Sequence, residues 1–196
     1  LSPLVTIIIV FIAGLLLSYG GVSAIVLMFV MAPLTLELCR ESGIPQYMAP
    51  GMILGCIATA ALSMPGSPQI QNVMATGSVG VNSMAAAIPG FIAGAFIMTL
   101  NVLYLNRAAK KEMKKGNLYD EKAEPAFDEA EDEVLPNPVI ALIPMITVFV
   151  LYNVVKLNVN FALMLGIIVA IILMRKGFKN VDTFVKCIAN ACTNGA

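Results

Sequence analysis

An apolar segment near the middle of this chain is interrupted by a short polar sequence that contains two prolines. Residues 50–63 carry no charge and run directly into the sequence MPGSPQIQN at 64–72. Proline removes a backbone donor and glycine permits unusual dihedral angles, so a helix is expected to break here. A bilayer tolerates such irregular backbone only where protein buries it or a water-filled cavity solvates it. The sequence therefore predicts a solvated or ligand-filled site inside a membrane.

Charge is concentrated in one part of the chain. The 196 residues are 59% hydrophobic and 12% charged, about half the charged fraction of a typical soluble domain. Nine of the twelve acidic residues lie in 112–133 and five of the twelve basic residues lie in 107–115. This distribution predicts an all-α, polytopic membrane protein of the cytoplasmic membrane. Membrane lipid is then an expected partner, and nucleic acid is not.

The first 36 residues contain no charge and are interrupted by SYGGVS at 18–23. Each flanking limb has about 14–17 apolar residues, whereas a full span needs roughly 20. Two interpretations fit: two short spans joined by a tight turn, or a re-entrant hairpin whose tip turns back at mid-membrane. The limb length and the polar glycine tip favour the hairpin over residues 1–36.

The rest of the chain divides by composition into three parts. The end of a first transmembrane repeat is expected in 1–105, a charged cytoplasmic linker in 106–137, and the start of a second repeat in 138–196. Within the first part, a broken helix is expected over 49–83 and a span over 84–105, with Pro89 and Gly90 as a kink.

The second part and the third contain further helical predictions. Residues 107–115 are expected to extend the preceding span as a helix, and the acidic tract after them is too polar to fold alone. Two spans are expected over 138–155 and 159–174, with an incomplete helix over 182–196. The chain opens without methionine inside an apolar run, which indicates an internal piece of a longer protein.

The basic residues give a consistent orientation. The cluster at 107–115 is cytoplasmic by the positive-inside rule. Counting spans in both directions places Arg40 and the basic pair at 175–176 on the same side. The hairpin of residues 1–36 is therefore expected to open to the cytoplasm.

The break supplies two kinds of ligand group. Within a helix, Pro65 would free the carbonyl of Ala61 and Pro68 would free that of Met64, and free carbonyl oxygens suit a cation such as Na⁺. A helix restarting near Val73 would point its partly positive N-terminus into the same place, which suits an anion. Ser23 is positioned to cap the second limb of the hairpin. Two half-helix N-termini beside freed carbonyls are the arrangement that secondary transporters use at mid-membrane.

The uncharged character of this region limits the chemistry. No Lys or Arg lies between Arg40 and Arg107, so an anionic solute must be held there by dipoles, hydroxyls and amides. The spans also lack Asp, Glu and His to relay a proton, so the residues alone fit sodium coupling at least as well as proton coupling. The chain has no His, and its four cysteines fit no common metal motif. We therefore expect no cofactor other than the coupling ion, H⁺ or Na⁺, and no enzyme activity.

Two motifs carry a family resemblance. At YGGVS (19–23) and PGSPQIQN (65–72) the chain resembles the gluconate permease (GntP) family of the ion transporter superfamily. Members of that family have a similar YGGVS stretch and, at about this separation, a PGTPQIQN-like motif. Ser67 stands where threonine is common, and it keeps a hydroxyl at that position.

The resemblance implies a function and a fold. It implies secondary uptake of a gluconate-like sugar acid or other small organic anion, usually with protons, by a protein of two inverted repeats. Each repeat would contain a re-entrant hairpin and a broken helix, and dimers with elevator-like movement occur among the more distant sodium–carboxylate symporters. A sodium-coupled di- or tricarboxylate symporter is thus the first alternative. By match to the motifs, the implied substrate- or ion-binding residues are Gly20, Gly21, Ser23, Ser67, Gln69, Gln71 and Asn72.

A passive anion channel is the second alternative. A channel needs a continuous polar stripe along its helices. The mostly apolar residues of 84–105 and 138–155 offer none, which favours a transporter.

Overall fold

The computed structural model describes residues 1–120 and 138–174, which belong to two compact units, Leu1–Asp128 and Glu129–Ala196. All regular structure in these two ranges is helical, in agreement with the all-α prediction. Most of the acidic tract and the expected helix over 182–196 lie outside the described residues.

The first two helices form a hairpin. Helix α1 (Pro3–Tyr19) and helix α2 (Ala24–Ser42) are joined by a four-residue turn in which Gly21 has φ = 92°, a value that favours glycine. The helices are antiparallel, because the amino group of Leu1 lies 3.4 Å from the carbonyl oxygen of Glu41 at the opposite end. Both interpretations of residues 1–36 require this hairpin.

The helix that follows is broken, as its prolines predict. Helix α3 (Ala49–Cys56) continues as one wide π-helical segment over Ile57–Ala61, where the N–H of Leu62 donates to the carbonyl of Ile57 at 3.2 Å. The chain then leaves the helical path for the break loop, defined here as residues 62–69. Helix α4 (Ile70–Val79) resumes after it.

The restart of the helix differs from the expectation. Helix α4 begins at Ile70 rather than near Val73, because Gln69 takes an extended conformation (φ −68°, ψ 141°) and serves as its N-cap. The first intrahelical bond runs from the N–H of Val73 to the carbonyl of Gln69 at 3.0 Å. The polar residues Gln71 and Asn72 therefore belong to the first turn of a helix rather than to a loop.

Helix α5 (Ala87–Lys114) is 28 residues long and continues without interruption through Pro89 and Gly90. The expected kink is absent because Pro89 lies in the first turn, where a missing N–H breaks no helical bond. By length and composition, α5 is the one helix among the described residues that is long and apolar enough to cross a membrane. Its charged end confirms the predicted helical extension into 107–114. Exposed apolar side chains recur along it at every fourth position: Ile88, Ile92, Phe96, Leu100 and Tyr104.

The core of the first unit lies between α1, α2 and α3. Phe11, Leu27, Met52 and Cys56 are all 1% exposed or less. Gly14 lets α1 approach α3 closely, since a Cβ at that position would overlap the Sγ of Cys56. The buried thiols Cys39 and Cys56 pack as small side chains in this core.

A polar cluster fixes the charged end of α5. The carboxylate of Glu112 accepts hydrogen bonds from Lys115 (2.6 Å), Asn117 (2.8 Å) and the hydroxyl of Tyr47 (2.9 Å). These donors, Lys115 first, lower the pKa of Glu112 to about 2. Glu112 lies well beyond the apolar part of the helix. It stays ionised at physiological pH, so this cluster does not act as a switch in that range.

A second contact fastens the chain just after α5. The side-chain amide of Gln46 donates to the carbonyl of Asp120 at 3.1 Å and accepts from the N–H of Asp120 at 3.0 Å. Gln46 lies in the connection between α2 and α3. Asp120, which is part of the expected linker, is therefore held against the segment that precedes the broken helix.

The second unit contains helix α6 (Pro138–Asn153) and helix α7 (Val159–Met174). The turn between them includes Lys156 at φ = 59°. Gly166 of α7 lets α6 approach closely, because a Cβ there would overlap the side chain of Val148. Both helices agree in position with the apolar segments 138–155 and 159–174, and each is 16 residues long.

Candidate functional site

The side chain of Gln69 joins the hairpin tip to the break loop. Its Oε1 accepts a hydrogen bond from the backbone N–H of Ala24 at 3.0 Å. Its Nε2 donates to the carbonyl of Val22 at 2.6 Å and, more weakly, to that of Ser18 at 3.4 Å. Gln69 is only 3% exposed. The two motifs that the sequence singled out therefore lie against each other.

Tyr19 makes a second connection between the same two segments. Its hydroxyl donates to the carbonyl of Pro65 at 2.7 Å. The carbonyl of Met64, which Pro68 was expected to free, lies 3.4 Å from the amide nitrogen of Asn72 and accepts from it. Side chains of the protein thus cover two of the carbonyls in the break.

The break loop rests on the first turns of α5. A Cβ at Gly90 would overlap the ring of Pro65, and a Cβ at Gly94 would come within 2.8 Å of the side chain of Met64. The N–H of Gly66 donates to the carbonyl of Ser83 at 3.1 Å, just before α5 begins. The absence of side chains on the two α5 glycines is therefore what admits the loop.

The N-termini of α2 and α4 are brought together by these contacts. Gln69 is the N-cap of α4, and the amide that it binds, Ala24, is the first residue of α2. Ser23 caps α2 as expected, accepting from the N–H of Val26 at 3.5 Å. The N–H groups of Ile70 and Gln71 have no acceptor within α4, and the helix dipole makes that end partly positive. This is a favourable environment for a small anion.

The seven residues implied by the resemblance fall into three groups by position. Gly20 and Gly21 form the turn of the hairpin and are partly exposed. Ser67 and Gln69 are buried, with 0% and 3% exposure. The side chains that face outward or lie at the edge are Ser23, Gln71 and Asn72.

Three residues near the site were not predicted from the sequence. Tyr19 belongs to the YGGVS motif, but nothing in the pattern indicated its hydrogen bond to the break. Thr59, 2% exposed, lies in the π-helical segment and accepts from the side-chain amide of Asn101 at 3.4 Å. The signal for Asn101 was available, since a lone amide in the apolar part of a span usually finds a partner on another helix.

One curated relative is similar to this chain. It is the uncharacterized transporter YxjC of Bacillus subtilis (strain 168), which is 32% identical over 144 residues. The match covers 69% of this chain and 30% of the relative, so the chain spans less than a third of that protein's length. No protein-family model and no solved structure matches the chain.

Proposed function

We propose that this chain is part of a secondary active transporter that takes up a small organic anion together with a cation. The substrate would be a gluconate-like sugar acid or another carboxylate. The observation that carries the proposal is the meeting of two helix N-termini at an interruption of an apolar helix, with Gln71 and Asn72 in the first turn of α4. The similarity to a protein named as a transporter supports the same role.

The residues suggest how an anion would be held. No basic residue lies between Arg40 and Arg107. A carboxylate would therefore be bound by the N–H groups of Ile70 and Gln71 and the positive end of α4. The side chains of Ser23, Gln71 and Asn72 would contact the neutral hydroxyl groups of the substrate. Each of these is a neutral donor and acceptor, which suits a polyhydroxy acid.

The coupling ion is proposed from two separate arguments. The family resemblance favours H⁺. The residue chemistry admits Na⁺, because no Asp, Glu or His lies between Glu41 and Glu112. Uptake measured with the pH gradient and the Na⁺ gradient varied independently separates the two ions.

Uptake into sealed vesicles tests the proposed function. Vesicles carrying the full-length protein are expected to accumulate labelled gluconate, citrate or a related acid above the outside concentration when an ion gradient is imposed. Accumulation distinguishes a transporter from a channel, which only equilibrates its solute. Uptake equal to that of empty vesicles for every acid tested would refute the proposal.

Alanine substitutions at the two amide side chains in the first turn of α4 test the site. Gln71→Ala and Asn72→Ala are each expected to raise the KM for uptake about tenfold, because each removes a hydrogen bond worth about 1–1.5 kcal/mol. Membrane insertion should not change. Ser78→Ala is the matched control on α4, since the exposed Ser78 hydroxyl donates to the carbonyl of Met74 of its own helix. Unchanged kinetics in both amide variants would exclude the first turn of α4 from substrate binding.

We propose the membrane arrangement expected from the charge pattern. Residues 1–105 would end a first repeat, 106–137 would form a cytoplasmic linker, and 138–196 would begin a second repeat, in a protein of the cytoplasmic membrane that can form homodimers. The prediction is that a single cysteine introduced by Lys110→Cys, with the native cysteines replaced, reacts with a membrane-impermeant maleimide only in inside-out vesicles. Lys110 is exposed near the charged end of α5. Labelling in intact cells would mean that the charged end of α5 lies outside the cell, contrary to the proposed orientation.

A further inference from the structure

We propose that Gln69 and Tyr19 are positioning residues that clamp the hairpin tip to the break loop, so that the two segments move as one body. In this arrangement Ser23, Gln71 and Asn72 keep fixed relative positions. The clamp is a property of the fold, whereas its effect on substrate affinity rests on the proposed function.

The chemistry of the Gln69 side chain explains why a glutamine stands there. The hairpin tip presents one donor, the N–H of Ala24, and two carbonyl acceptors, those of Val22 and Ser18. A primary amide carries an acceptor and two donors in one plane, so a single side chain satisfies all three groups. The opposite amide orientation would set an NH₂ against an N–H and an oxygen against two carbonyls.

The clamp has two parts that act on different backbone groups. Gln69 belongs to the break loop and bonds the hairpin tip at the N–H of Ala24. Tyr19 belongs to the hairpin and donates to the break loop at the carbonyl of Pro65, at 2.7 Å. A proline carbonyl next to a helix break has no assured helical partner, so the phenol supplies one. Loss of either side chain leaves a buried or half-buried backbone group without its partner.

The surroundings of Gln69 are uncharged. The segments against it are the ends of α1 and α2, and residues 1–36 contain no charged side chain. The titratable group nearest in this contact set is the phenol of Tyr19, which stays protonated below pH 9. A carboxyl group introduced at position 69 would therefore be governed by its burial and the carbonyl of Val22, which favour the protonated form, and by the positive ends of α2 and α4, which favour the ionised form.

These conditions allow a test by a nearly isosteric variant. In Gln69→Glu, an ionised carboxylate can accept from Ala24 but repels the carbonyl of Val22. A protonated carboxyl can accept from Ala24 and donate to Val22, as the amide does. Burial raises the pKa of such a carboxyl. Because position 69 is only 3% exposed, burial is expected to have the larger effect, so the clamp should be broken at pH 8 and restored at pH 5.

The measurement is the Tm of the purified full-length protein in detergent, each variant compared with wild type at the same pH. Gln69→Leu is expected to lower the Tm by about 5 °C or more at both pH values. Gln69→Glu should show a similar loss at pH 8 and recover most of it at pH 5. Gln71→Glu, an exposed amide two positions along, is the matched control and should show no such recovery. Tyr19→Phe should lower the Tm by about 2–4 °C at both pH values.

Uptake kinetics test the positioning role separately. Gln69→Leu should raise the KM about tenfold with a smaller change in maximal rate, and Gln69→Glu should approach wild-type KM at pH 5 but not at pH 8. If Gln69→Leu does not fold, Gln69→Glu and Tyr19→Phe decide the matter.

Two outcomes would overturn the clamp. One is a Tm deficit for Gln69→Glu that equals the deficit of Gln69→Leu at both pH 5 and pH 8; the other is wild-type stability in both Gln69→Leu and Tyr19→Phe. If wild type takes up none of the acids tested, the proposed function fails, while the Tm series still decides the clamp.

Discussion

Gly90→Ala is expected to destabilise the protein by about 2–3 kcal/mol, although alanine is the better helix former. The added Cβ would overlap the ring of Pro65 and lie 2.9 Å from its Cδ. The ring cannot withdraw easily, because the hydroxyl of Tyr19 holds its carbonyl and the next residue, Gly66, is bonded to Ser83. The Tm of the purified protein in detergent should fall by about 5 °C or more.

The matched control is the same substitution in an open position. Gly77 lies in α4 and a Cβ there would meet nothing within 4 Å. Gly77→Ala should therefore leave stability unchanged or raise it by about 0.5–1 kcal/mol through helix propensity alone. Opposite signs for the two substitutions would locate the effect in the contact with the break loop. A Gly90→Ala variant as stable as Gly77→Ala would mean that the loop does not rest on α5.

Gly14→Ala is expected to be the second severe substitution, with a loss of about 2 kcal/mol. The new Cβ would overlap the Sγ of Cys56, and that sulfur is held in place because its thiol donates to the carbonyl of Phe11 at 3.4 Å. Cys56 is 1% exposed, so rotation of its side chain would only move the overlap to other core atoms. Thermal unfolding in detergent measures the loss.

A double substitution gives this prediction its control. Cys56→Ala alone should cost about 1 kcal/mol through the lost sulfur contacts. With Gly14→Ala, however, the nearest remaining atom of residue 56 is its Cβ at 3.5 Å, an ordinary contact distance. The double variant should therefore be more stable than Gly14→Ala alone, with a coupling of at least about 1 kcal/mol. Additive losses would show that contact with Cys56 is not the reason why a side chain at position 14 destabilises the protein.

The place of the helix break was predictable from the sequence, because two prolines and a glycine leave few alternatives to an interruption. The helices Pro138–Asn153 and Val159–Met174 were also predictable, since each lies in a charge-free apolar run with a polar turn between them. The residue at which α4 begins was not predictable in this way. It depends on Gln69 adopting a capping conformation, which its side chain sustains through bonds to a segment about 45 residues away in the chain.

The roles of individual residues at the site were harder to predict than its location. Gln69, Gln71 and Asn72 share one motif and similar chemistry, yet the first is buried and the second is exposed. That difference arises from the direction in which the helix leaves the break. Gly90 was expected to bend α5, whereas the structure uses its missing side chain to admit Pro65. Close contacts between distant segments leave no periodic signal along a chain.

The π-helical segment at Ile57–Ala61 carries a consequence for how this architecture can vary. Each residue of an α-helix turns the chain by about 100°, and a π turn takes in one residue more than an α turn. The π-helical segment therefore takes up one extra residue without changing the direction, around the helix axis, in which the chain reaches Pro65. A related protein with a single-residue deletion here would form regular α-helix and still deliver its proline loop in the same direction, whereas a deletion in the α-helical part before it would turn that loop by about 100°, away from the glycine bend of its hairpin.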